Sequence, residues 1–329
     1  MIFIHGVGHF HPENVIDNAF LENLDIGTNE QWILERVGIR SRRTVLSLDY
    51  IRQTRNADPR AAHEASTYTN AQTGAFAAKM ALERAGIKAS DVGMVIAGGC
   101  SPQHTIPAEA CTIAAELEIQ APAFDINSAC SSFAAQLHFL GQMKEELLPE
   151  FILIVNAENN TRSINYADRS TAVLWGDGTS ATVISTRHKA RARVGFHFFE
   201  SDPAGWRKVI IPTGGFFSQD GPAVQGFAIR KTCAAIQKIR GVMSNNATAF
   251  KFISHQANLT MLESVARRME IASTSHLFNV DRFGNCGAAG APSVLSENWQ
   301  TFNEGDQLAL VVVGSGLAWG GMAIEFGES

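Results

Sequence analysis

Short apolar runs that alternate with helical patterns are the feature that most limits how this 329-residue chain can fold. Runs at 92–97, 121–126 and 151–157 are largely apolar, which is typical of buried strands in a sheet covered on both faces. Helical patterns occupy 69–85 and 107–117, before and between the first two runs. This alternation predicts a layered α/β protein.

The remainder of the chain continues the same plan. Gly86 is placed to end the helix 69–85, and Asn258 is placed to begin another helix as its N-cap. The polar segment 46–66 is expected to form an irregular surface excursion. Further strands are predicted at 181–185, 209–211, 250–253, 307–313 and 322–326, and further helices at 133–147 and 227–239.

Each half of the chain has a strand that leads into a turn and then into a helix. We therefore expect two similar halves, 1–187 and 188–329, which meet near the charged stretch 186–194. No direct sequence repeat accompanies this pattern, so the duplication is a prediction about structure alone.

Composition and cysteine usage exclude several classes of protein. A net charge of −5 and a pI near 6.1 argue against a general binder of nucleic acid or of membrane surfaces. The N-terminus lacks a signal-peptide pattern, and no run is apolar and long enough to span a bilayer. The odd, scattered cysteines form no disulfide framework and no Cys-x-x-Cys metal site, which indicates a reducing, cytoplasmic compartment. They are Cys100, Cys111, Cys130, Cys233 and Cys286.

Cys130 lies where the strand 121–126 breaks over small residues into the helix 133–147. The free N–H groups and the positive dipole end of a helix N-terminus favour thiolate over thiol. A thiolate is the nucleophile that attacks thioesters. The alternative, judged from position alone, is a small buried hydrophobic residue.

Two further polar residues lie in turns of small residues. His255 follows the strand 250–253, so its ring is expected to project from a strand end, and Asn285 lies in a glycine- and alanine-rich run. Alone, each has a structural interpretation, as a buried hydrogen-bonded histidine or a turn asparagine beside glycine. Together with Cys130 they indicate catalysis, because a nucleophilic cysteine needs an imidazole and a polar orienting group.

Six motifs in order carry a resemblance to a known family. They are WILERVGIR at 32–40, DINSACSSF at 125–133, WGDG at 175–178, HQAN at 255–258, GN at 284–285 and GSGLAWGG at 314–321. On these motifs the chain resembles, nearly end to end, the β-ketoacyl-acyl-carrier-protein synthase III family of thiolase-like condensing enzymes. The resemblance implies a five-layered αβαβα thiolase fold with two similar halves, a homodimer, and Cys130 at the start of a buried central helix.

The resemblance also implies a mechanism. Cys130 would take an acyl group from a thioester, and backbone N–H groups of Cys130 and Ser315 would hold the oxyanion. His255 and Asn285 would donate hydrogen bonds to the carbonyl of a malonyl thioester and stabilise the enolate formed on loss of CO2, with the histidine largely uncharged. No metal and no permanently bound cofactor is implied, and the substrates are thioesters of coenzyme A or phosphopantetheine.

The family's ligand and carrier contacts are carried over position by position. Trp32, Arg36 and Arg169 match residues that flank the nucleotide of coenzyme A, and Gly226 and Asn258 match positions along the pantetheine arm. A solvated face or an ordinary core aromatic is the alternative for these residues. The basic patch expected to meet an acidic acyl-carrier protein consists of Lys231, Arg267 and Arg268.

Several positions depart from the family pattern and leave the acyl primer open. Ile106 replaces a phenylalanine that gates the neighbouring subunit's acyl pocket, and Trp175 replaces a pocket phenylalanine. Thr260 replaces an arginine, Arg230 replaces a phenylalanine near the cofactor, and 46–66 is an insertion. These changes favour a specialised member, such as one that primes or joins acyl chains in secondary metabolism.

Three other functions stay open at this point. The first is cysteine-dependent acyl transfer to an alcohol or amine. The second is joining of two acyl chains without decarboxylation, for which Glu109 is a candidate base. The third is a non-catalytic partner subunit of a condensing heterodimer, although such subunits usually lack one of Cys130, His255 and Asn285.

Overall fold

The strands and helices of the chain are given by a computed structural model that describes residues 1–243 and 248–328. The strands are β1 (Ile2–Phe10), β2 (Asn14–Asp17), β3 (Ser41–Thr44), β4 (Val92–Ala97), β5 (Ala123–Asp125), β6 (Phe151–Glu158), β7 (Gly178–Ser185), β8 (Ala192–Ser201), β9 (Val209–Ile210), β10 (Ser218–Gln219), β11 (Phe250–Ser254), β12 (Gln307–Gly314) and β13 (Ala318–Phe326). The helices are α1 (Asn18–Asn23), α2 (Glu30–Val37), α3 (Leu48–Thr54), α4 (Pro59–Ala65), α5 (Asn70–Ala85), α6 (Glu109–Glu116), α7 (Ser132–Gln142), α8 (Arg169–Ala172), α9 (Gly221–Arg240), α10 (Leu259–Arg268), α11 (Val280–Phe283) and α12 (Gly290–Glu297).

One sheet of nine strands runs through the molecule in the order β11-β12-β13-β8-β1-β7-β6-β4-β5. Strand β4 pairs in parallel with β5 and β6, and β11 pairs in parallel with β12, while the other neighbours are antiparallel. The strands of each half are therefore neighbours, and β1 joins the halves by pairing with β8 over Ile2, Phe3 and Ile4.

Two buried helices form an inner layer. Helix α7 contacts β6 and β8, and α12 contacts β7 and β12, so each touches strands of both halves. Helices α5 and α6 cover the strands of the first half, and α9 with α10 covers those of the second. The expected layers of helix, sheet, helix, sheet and helix are present in this packing, and α7 leads its apolar Phe133, Leu137 and Leu140 into the core.

Two predicted helix ends are confirmed. Gly86 ends α5 in the left-handed conformation at φ 67°, and Asn258 caps α10 by accepting the Met261 N–H at 2.8 Å. Strand β4 has its predicted limits, and the other predicted strands agree within four residues at each end, although the one predicted at 121–126 is not buried.

Three predicted elements differ from the structure. The helix predicted at 133–147 ends at Gln142, because Met143 has extended backbone and a 3-10 turn follows. The strand predicted at 121–126 is only β5, and it is largely exposed because it forms the edge of the sheet. The helix predicted at 227–239 begins earlier, at Gly221, where Asp220 caps it.

The segment 46–66 is not irregular. It forms α3 and α4, which begin at the N-caps Ser47 and Asp58, and the buried Ile51 and Ala62 fix them to the core. Asn56 between them is fully buried and donates to the carbonyls of residues 161, 162 and 164. The polar composition of this segment concealed these few anchoring residues.

The proposed division into 1–187 and 188–329 stays a prediction. Its boundary lies in the loop between β7 and β8, but the β1–β8 pairing continues the sheet across it. Across 1–243 and 248–328, no helix has both the length and the apolarity needed to cross a bilayer.

Helix α5 lies so close to β1 that glycine is required in the strand. A Cβ at Gly8 would lie 2.0 Å from the Ala77 carbonyl oxygen and 2.7 Å from the Ala81 nitrogen. We expect Gly8→Ala to lower the free energy of unfolding by about 1–3 kcal/mol, because the helix must move away from the sheet. Denaturant unfolding measures this change. Gly221→Ala is the control, since a Cβ there meets open space, and equal losses in the two variants would contradict the packing argument.

Candidate active site

Cys130, His255 and Asn285 line one cavity of about 360 Å³. The three side chains are only 6 to 7% exposed, so each reaches the cavity from a buried position. They come from three separate turns: the one before α7, the one after β11 and the one before α12. The structure thus brings together the three residues that the sequence proposed as catalytic.

The turn that carries Cys130 is strained and closed by hydrogen bonds. Ala129 has a positive φ of 46°, and its N–H donates to Asn127 Oδ1 at 2.8 Å. The Ser131 N–H donates to the Ser128 carbonyl at 3.0 Å, and α7 begins one residue later. The sulfur therefore lies two residues ahead of the helix, beside its positive end.

A second sulfur lies against the first. Cys100 Sγ is 3.4 Å from Cys130 Sγ. A hydrogen bond from the Cys100 thiol is the largest cause that holds the pKa of Cys130 well below that of an ordinary thiol. The electrostatic effect of His255 and a hydrogen bond from its ring act in the same direction, and burial acts against them. The bond to Cys130 and burial raise the pKa of Cys100 correspondingly. Of the pair, Cys130 is thus the thiolate and Cys100 the donor.

His255 is fixed by its backbone. Its N–H donates to the Val311 carbonyl of β12 at 2.8 Å, directly after the last residue of β11. Its ring nitrogen Nδ1 is buried and has no hydrogen-bond partner in the described part of the chain. Nδ1 is thus the ring nitrogen that no described residue occupies.

Asn285 is held at both ends of its peptide unit. Its N–H donates to the Leu174 carbonyl at 2.8 Å, and its carbonyl accepts the Gly176 N–H at 3.2 Å. The side-chain Oδ1 accepts the Gly287 N–H at 3.0 Å. Because the amide oxygen is occupied in this way, the amide nitrogen Nδ2 is left to act as a donor.

The end of β12 approaches the cysteine turn closely. A Cβ at Gly314 would lie 2.8 Å from the Ser131 nitrogen, so only glycine allows this contact. Ser315 lines the cavity beside Cys130, and its hydroxyl donates to the Val209 carbonyl at 2.6 Å. Ser315 and Cys130 thus line the same cavities, and the role of their backbone N–H groups as an oxyanion hole stays a prediction.

Aromatic and basic side chains meet at the mouth of the cavity. The guanidinium carbons of Arg169 and Arg36 lie 5.0 Å and 5.8 Å from the centre of the Trp32 ring. Trp32, Arg36 and Asn258 line the cavity, and Gly226 lies between two lining residues of α9. The five residues predicted to bind the cofactor are therefore placed around one opening.

A smaller cavity of about 230 Å³ branches off beside the sulfur. Cys130, Trp175 and Phe217 line both cavities, and the Trp175 and Phe217 rings meet edge to face at 4.6 Å. Cys100 lines only the smaller branch of the two. Ile106, the other predicted pocket residue, is 83% exposed and lies outside both cavities of its own chain.

The predicted carrier-protein patch is on the surface. Arg267 and Arg268 are exposed at the end of α10. Lys231 is only partly exposed, and its Nζ lies 3.8 Å from the centre of the Trp319 ring. Glu109 is buried, and its carboxylate accepts hydrogen bonds from Asn70 Nδ2 and from the Gln103 N–H at 2.8 Å each.

Three residues of the site escaped the sequence reasoning. Cys100 and Glu158 each lie at or after the end of a buried strand, the same signal that pointed to His255, and could have been found by it. Phe217 lies in a loop with no periodic pattern and gave no signal. In residues 1–243 and 248–328 no group of three or more His, Cys, Asp and Glu side chains is suited to holding a metal ion.

The geometry defines a class of protein: an α/β protein with a buried thiolate, an imidazole and a free amide donor at the base of one cavity. Such a set can form and use an acyl-cysteine. Models of the two regions of 3-oxoacyl-[acyl-carrier-protein] synthase III match residues 124–203 and 247–326.

Relatives cover the whole chain. The β-ketoacyl-[acyl-carrier-protein] synthase III of Syntrophomonas wolfei is 31% identical over 98% of this chain and 97% of its own length. The crystal structure of the Aquifex aeolicus 3-oxoacyl-[acyl-carrier-protein] synthase III superposes with a TM-score of 0.86 at 26% identity, covering 99% of this chain and 100% of its own. The priming β-ketosynthase of the R1128 polyketide pathway shares the fold, with a TM-score of 0.83 at 24% identity, covering 100% of this chain and 97% of its own. The chain belongs to the 3-oxoacyl-[acyl-carrier-protein] synthase III family, whose members are condensing acyltransferases with a thiolase-like fold.

The hydrogen bond from the Cys100 thiol leads to a prediction about the pH at which Cys130 becomes reactive. We expect iodoacetamide to alkylate Cys130 with a rate that rises at a pH well below the range of an ordinary thiol, because the thiolate is the reactive form. Cys100→Ala removes the hydrogen bond that contributes most to the lowered pKa, so its profile should move to higher pH. Cys233→Ala, which changes a cysteine of α9 outside both cavities, is the matched control. Identical profiles for the wild type and Cys100→Ala would contradict the assignment.

Proposed function

We propose that the chain catalyses decarboxylative Claisen condensation of an acyl thioester with a malonyl thioester. The observation that carries this proposal is the meeting of a thiolate, an imidazole and a free amide nitrogen in one cavity. The product is a β-ketoacyl thioester, for fatty-acid or polyketide-type biosynthesis.

The first half-reaction loads the cysteine. The Cys130 thiolate attacks the carbonyl carbon of the acyl thioester, and the backbone N–H groups of Cys130 and Ser315 donate to the oxyanion. The coenzyme A or phosphopantetheine thiolate then leaves, and the acyl chain enters the branch lined by Trp175, Phe217 and Cys100. The aromatic rings of Trp175 and Phe217 in that branch favour an acyl group without charge.

The second half-reaction needs two donors. The malonyl thioester carbonyl would lie between the His255 ring and Asn285 Nδ2, which stabilise the enolate as the carboxylate departs as CO2. The enolate carbon attacks the acyl carbonyl on Cys130, and the thiolate leaves. No step requires a metal, and the substrates bring their own thioester.

Trp32, Arg36 and Arg169 would hold the nucleotide end of coenzyme A. Stacking on an aromatic face combined with forked guanidinium donors suits an adenine and its phosphates. Gly226 and Asn258 would flank the pantetheine arm between this mouth and the sulfur. The exposed Arg267 and Arg268, with Lys231, would attract an acidic carrier protein.

A homodimer is part of the proposal. Strand β5 is the free edge of the sheet, its Phe124 is 39% exposed, and Ile106 nearby in sequence is 83% exposed. An unpaired edge flanked by exposed apolar side chains is a surface that a second copy can cover. Ile106 would then reach the acyl branch of the partner subunit. The proposal includes a reducing compartment such as the cytoplasm, which the free cysteines support.

Transfer of the acyl group to an alcohol or amine would use the same Cys130 and His255. The free amide nitrogen of Asn285 favours condensation, because simple acyl transfer has no enolate for it to stabilise. Glu109 gives no support to non-decarboxylative joining, since its carboxylate is already bonded to Asn70 and Gln103.

The two half-reactions can be separated by experiment. Intact-protein mass spectrometry with a panel of acyl-coenzyme A primers should show a gain of one acyl group that is absent in Cys130→Ala. His255→Ala and Asn285→Ala should keep this loading but lose malonyl decarboxylation by roughly 100- to 1,000-fold, because each removes one enolate donor.

A matched histidine provides the control. His276 is as buried as His255, also has a ring nitrogen without a partner in the described residues, and lies outside the cavity. We expect His276→Ala to leave the ratio of decarboxylation to loading unchanged. Loaded enzyme that is discharged by an alcohol or amine, and not by malonyl thioester, would replace condensation by acyl transfer.

A further inference from the structure

Glu158, the last residue of β6, is a buried acid that the proposed reaction leaves without a role. Its side chain is fully buried, and each carboxyl oxygen accepts one backbone N–H. Oε2 accepts from Cys100 at 2.9 Å, and Oε1 accepts from Ala288 at 2.7 Å. The carboxyl group thus ties the loop after β4 to the turn that follows Asn285.

The backbone on both sides is shaped to admit this carboxyl group. A Cβ at Gly287 would lie 2.3 Å from Glu158 Oε1, and a Cβ at Gly99 would lie 3.1 Å from Oε2. Both glycines have positive φ, 52° and 155° respectively, where other residues are strained. The two loops therefore close around Glu158, with no room for a side chain between them.

The hydrogen bond between Glu158 and Ala288 is connected to the Asn285 amide through one further hydrogen bond. The Gly287 N–H, adjacent to the Ala288 N–H that Glu158 binds, donates to Asn285 Oδ1 at 3.0 Å. This bond fixes the orientation of the Asn285 amide group and therefore the direction in which Nδ2 points. A shift of the turn 287–288 would turn the donor away from the enolate.

We propose that Glu158 is a positioning residue for decarboxylation, which holds the turn 287–288 and through it the Asn285 amide. The inference rests on the proposed function, since it needs Asn285 to stabilise the enolate. The carboxyl group also accepts from Cys100, which lines the acyl branch, but it does not contact the substrate carbonyl, so we expect its effect on decarboxylation to pass through Asn285.

The protonation state of Glu158 suits a carboxyl group that lies near the Cys130 thiolate. Burial, followed by the charge on Cys130, raises its pKa to about 8, so the side chain is mainly the uncharged acid at neutral pH. It can hold both loops without adding a negative charge beside the thiolate or the enolate. A permanently ionised group there would oppose both.

A double-mutant cycle with Asn285 tests the inference. Glu158→Gln keeps the size of the side chain but has one acceptor oxygen, and its NH2 group would face an N–H donor. We expect Glu158→Gln to lower malonyl decarboxylation roughly 10- to 100-fold, less than loss of the donor itself, with little change in the rate of Cys130 loading. In the Asn285→Ala background the same substitution should have no further effect.

The controls separate positioning from stability. Asp306→Asn alters another buried carboxylate that accepts a backbone N–H, at the opposite end of β12 from Ser315, and should change neither rate. Glu158→Asp, which keeps two acceptor oxygens, replaces Glu158→Gln in the cycle if the latter does not fold. Equal losses of loading and decarboxylation, or equal losses in both backgrounds, would overturn the inference. If Asn285→Ala itself leaves decarboxylation unchanged, the proposed function fails instead.

The sulfur pair carries a second, independent inference. Cys100 Sγ and Cys130 Sγ are 3.4 Å apart and both line the smaller cavity, which a small oxidant can enter. A disulfide needs the sulfurs to approach to about 2.05 Å, a movement of roughly one and a half ångströms. We propose that a peroxide converts the pair into a reversible disulfide that blocks the nucleophile.

The steps balance with hydrogen peroxide as the oxidant. The Cys130 thiolate attacks one peroxide oxygen, the O–O bond breaks, hydroxide leaves, and a sulfenic acid forms. The Cys100 thiol then attacks that sulfur, its proton leaves with the hydroxyl group as water, and the S–S bond forms. Two electrons pass from sulfur to peroxide, and a thiol reductant reverses the change.

Recovery after oxidation tests the disulfide. Enzyme fully inactivated by hydrogen peroxide should yield a Cys100–Cys130 cross-linked peptide and regain Cys130 loading with dithiothreitol. In Cys100→Ala the sulfenic acid has no resolving thiol, so inactivation should proceed to sulfinic acid and become irreversible. Cys111→Ala, which changes an exposed cysteine, should recover like the wild type. Equal recovery of Cys100→Ala and the wild type, or no cross-linked peptide, would overturn the inference.

Discussion

The hydrogen bond between two sulfurs is the interaction on which the site depends. Cys130 is buried, and burial alone would favour its neutral form. The Cys100 thiol, His255 and the start of α7 together reverse that preference. Without them the nucleophile would be an inert core residue, and the cavity around it would be an ordinary apolar pocket.

The fold supplies this arrangement because three strand ends converge on one buried helix. Cys130 lies ahead of α7, His255 follows β11, and Ser315 follows β12, while Asn285 is bonded to the backbone at Leu174 and Gly176. Residues more than a hundred positions apart therefore meet, each held by backbone bonds and by tight glycine contacts. A site fixed by backbone in this way has little freedom to relax when its supports change.

The sequence alone predicted most of the sheet and the three proposed catalytic residues, because each is marked locally. A strand that ends in small residues with one reactive side chain is visible without knowledge of the fold. Cys100 and Glu158 carry the same mark, but their roles depend on distances to Cys130 and Ala288 that no local pattern contains. Phe217 and the anchoring Asn56 are visible only once the chain is folded.

The errors have a common physical cause. The exposure of β5 and the formation of helices in 46–66 depend on contacts with other parts of the fold. Residue propensity describes only the segment itself. The same limit applies to the pocket around Trp175. In the structure its ring meets Phe217 edge to face at 4.6 Å, so the width of the acyl branch is set by a pair of residues and not by either alone.

Two buried polar atoms without a protein partner among the described residues belong to side chains that line the main cavity. His255 Nδ1 and Trp175 Nε1 are buried and have no partner in the described residues, and both side chains line the main cavity. An unsatisfied buried donor or acceptor costs about 1–3 kcal/mol, so a substrate that bonds to either atom would recover part of that cost. This gain would favour the substrate-bound form over the empty one.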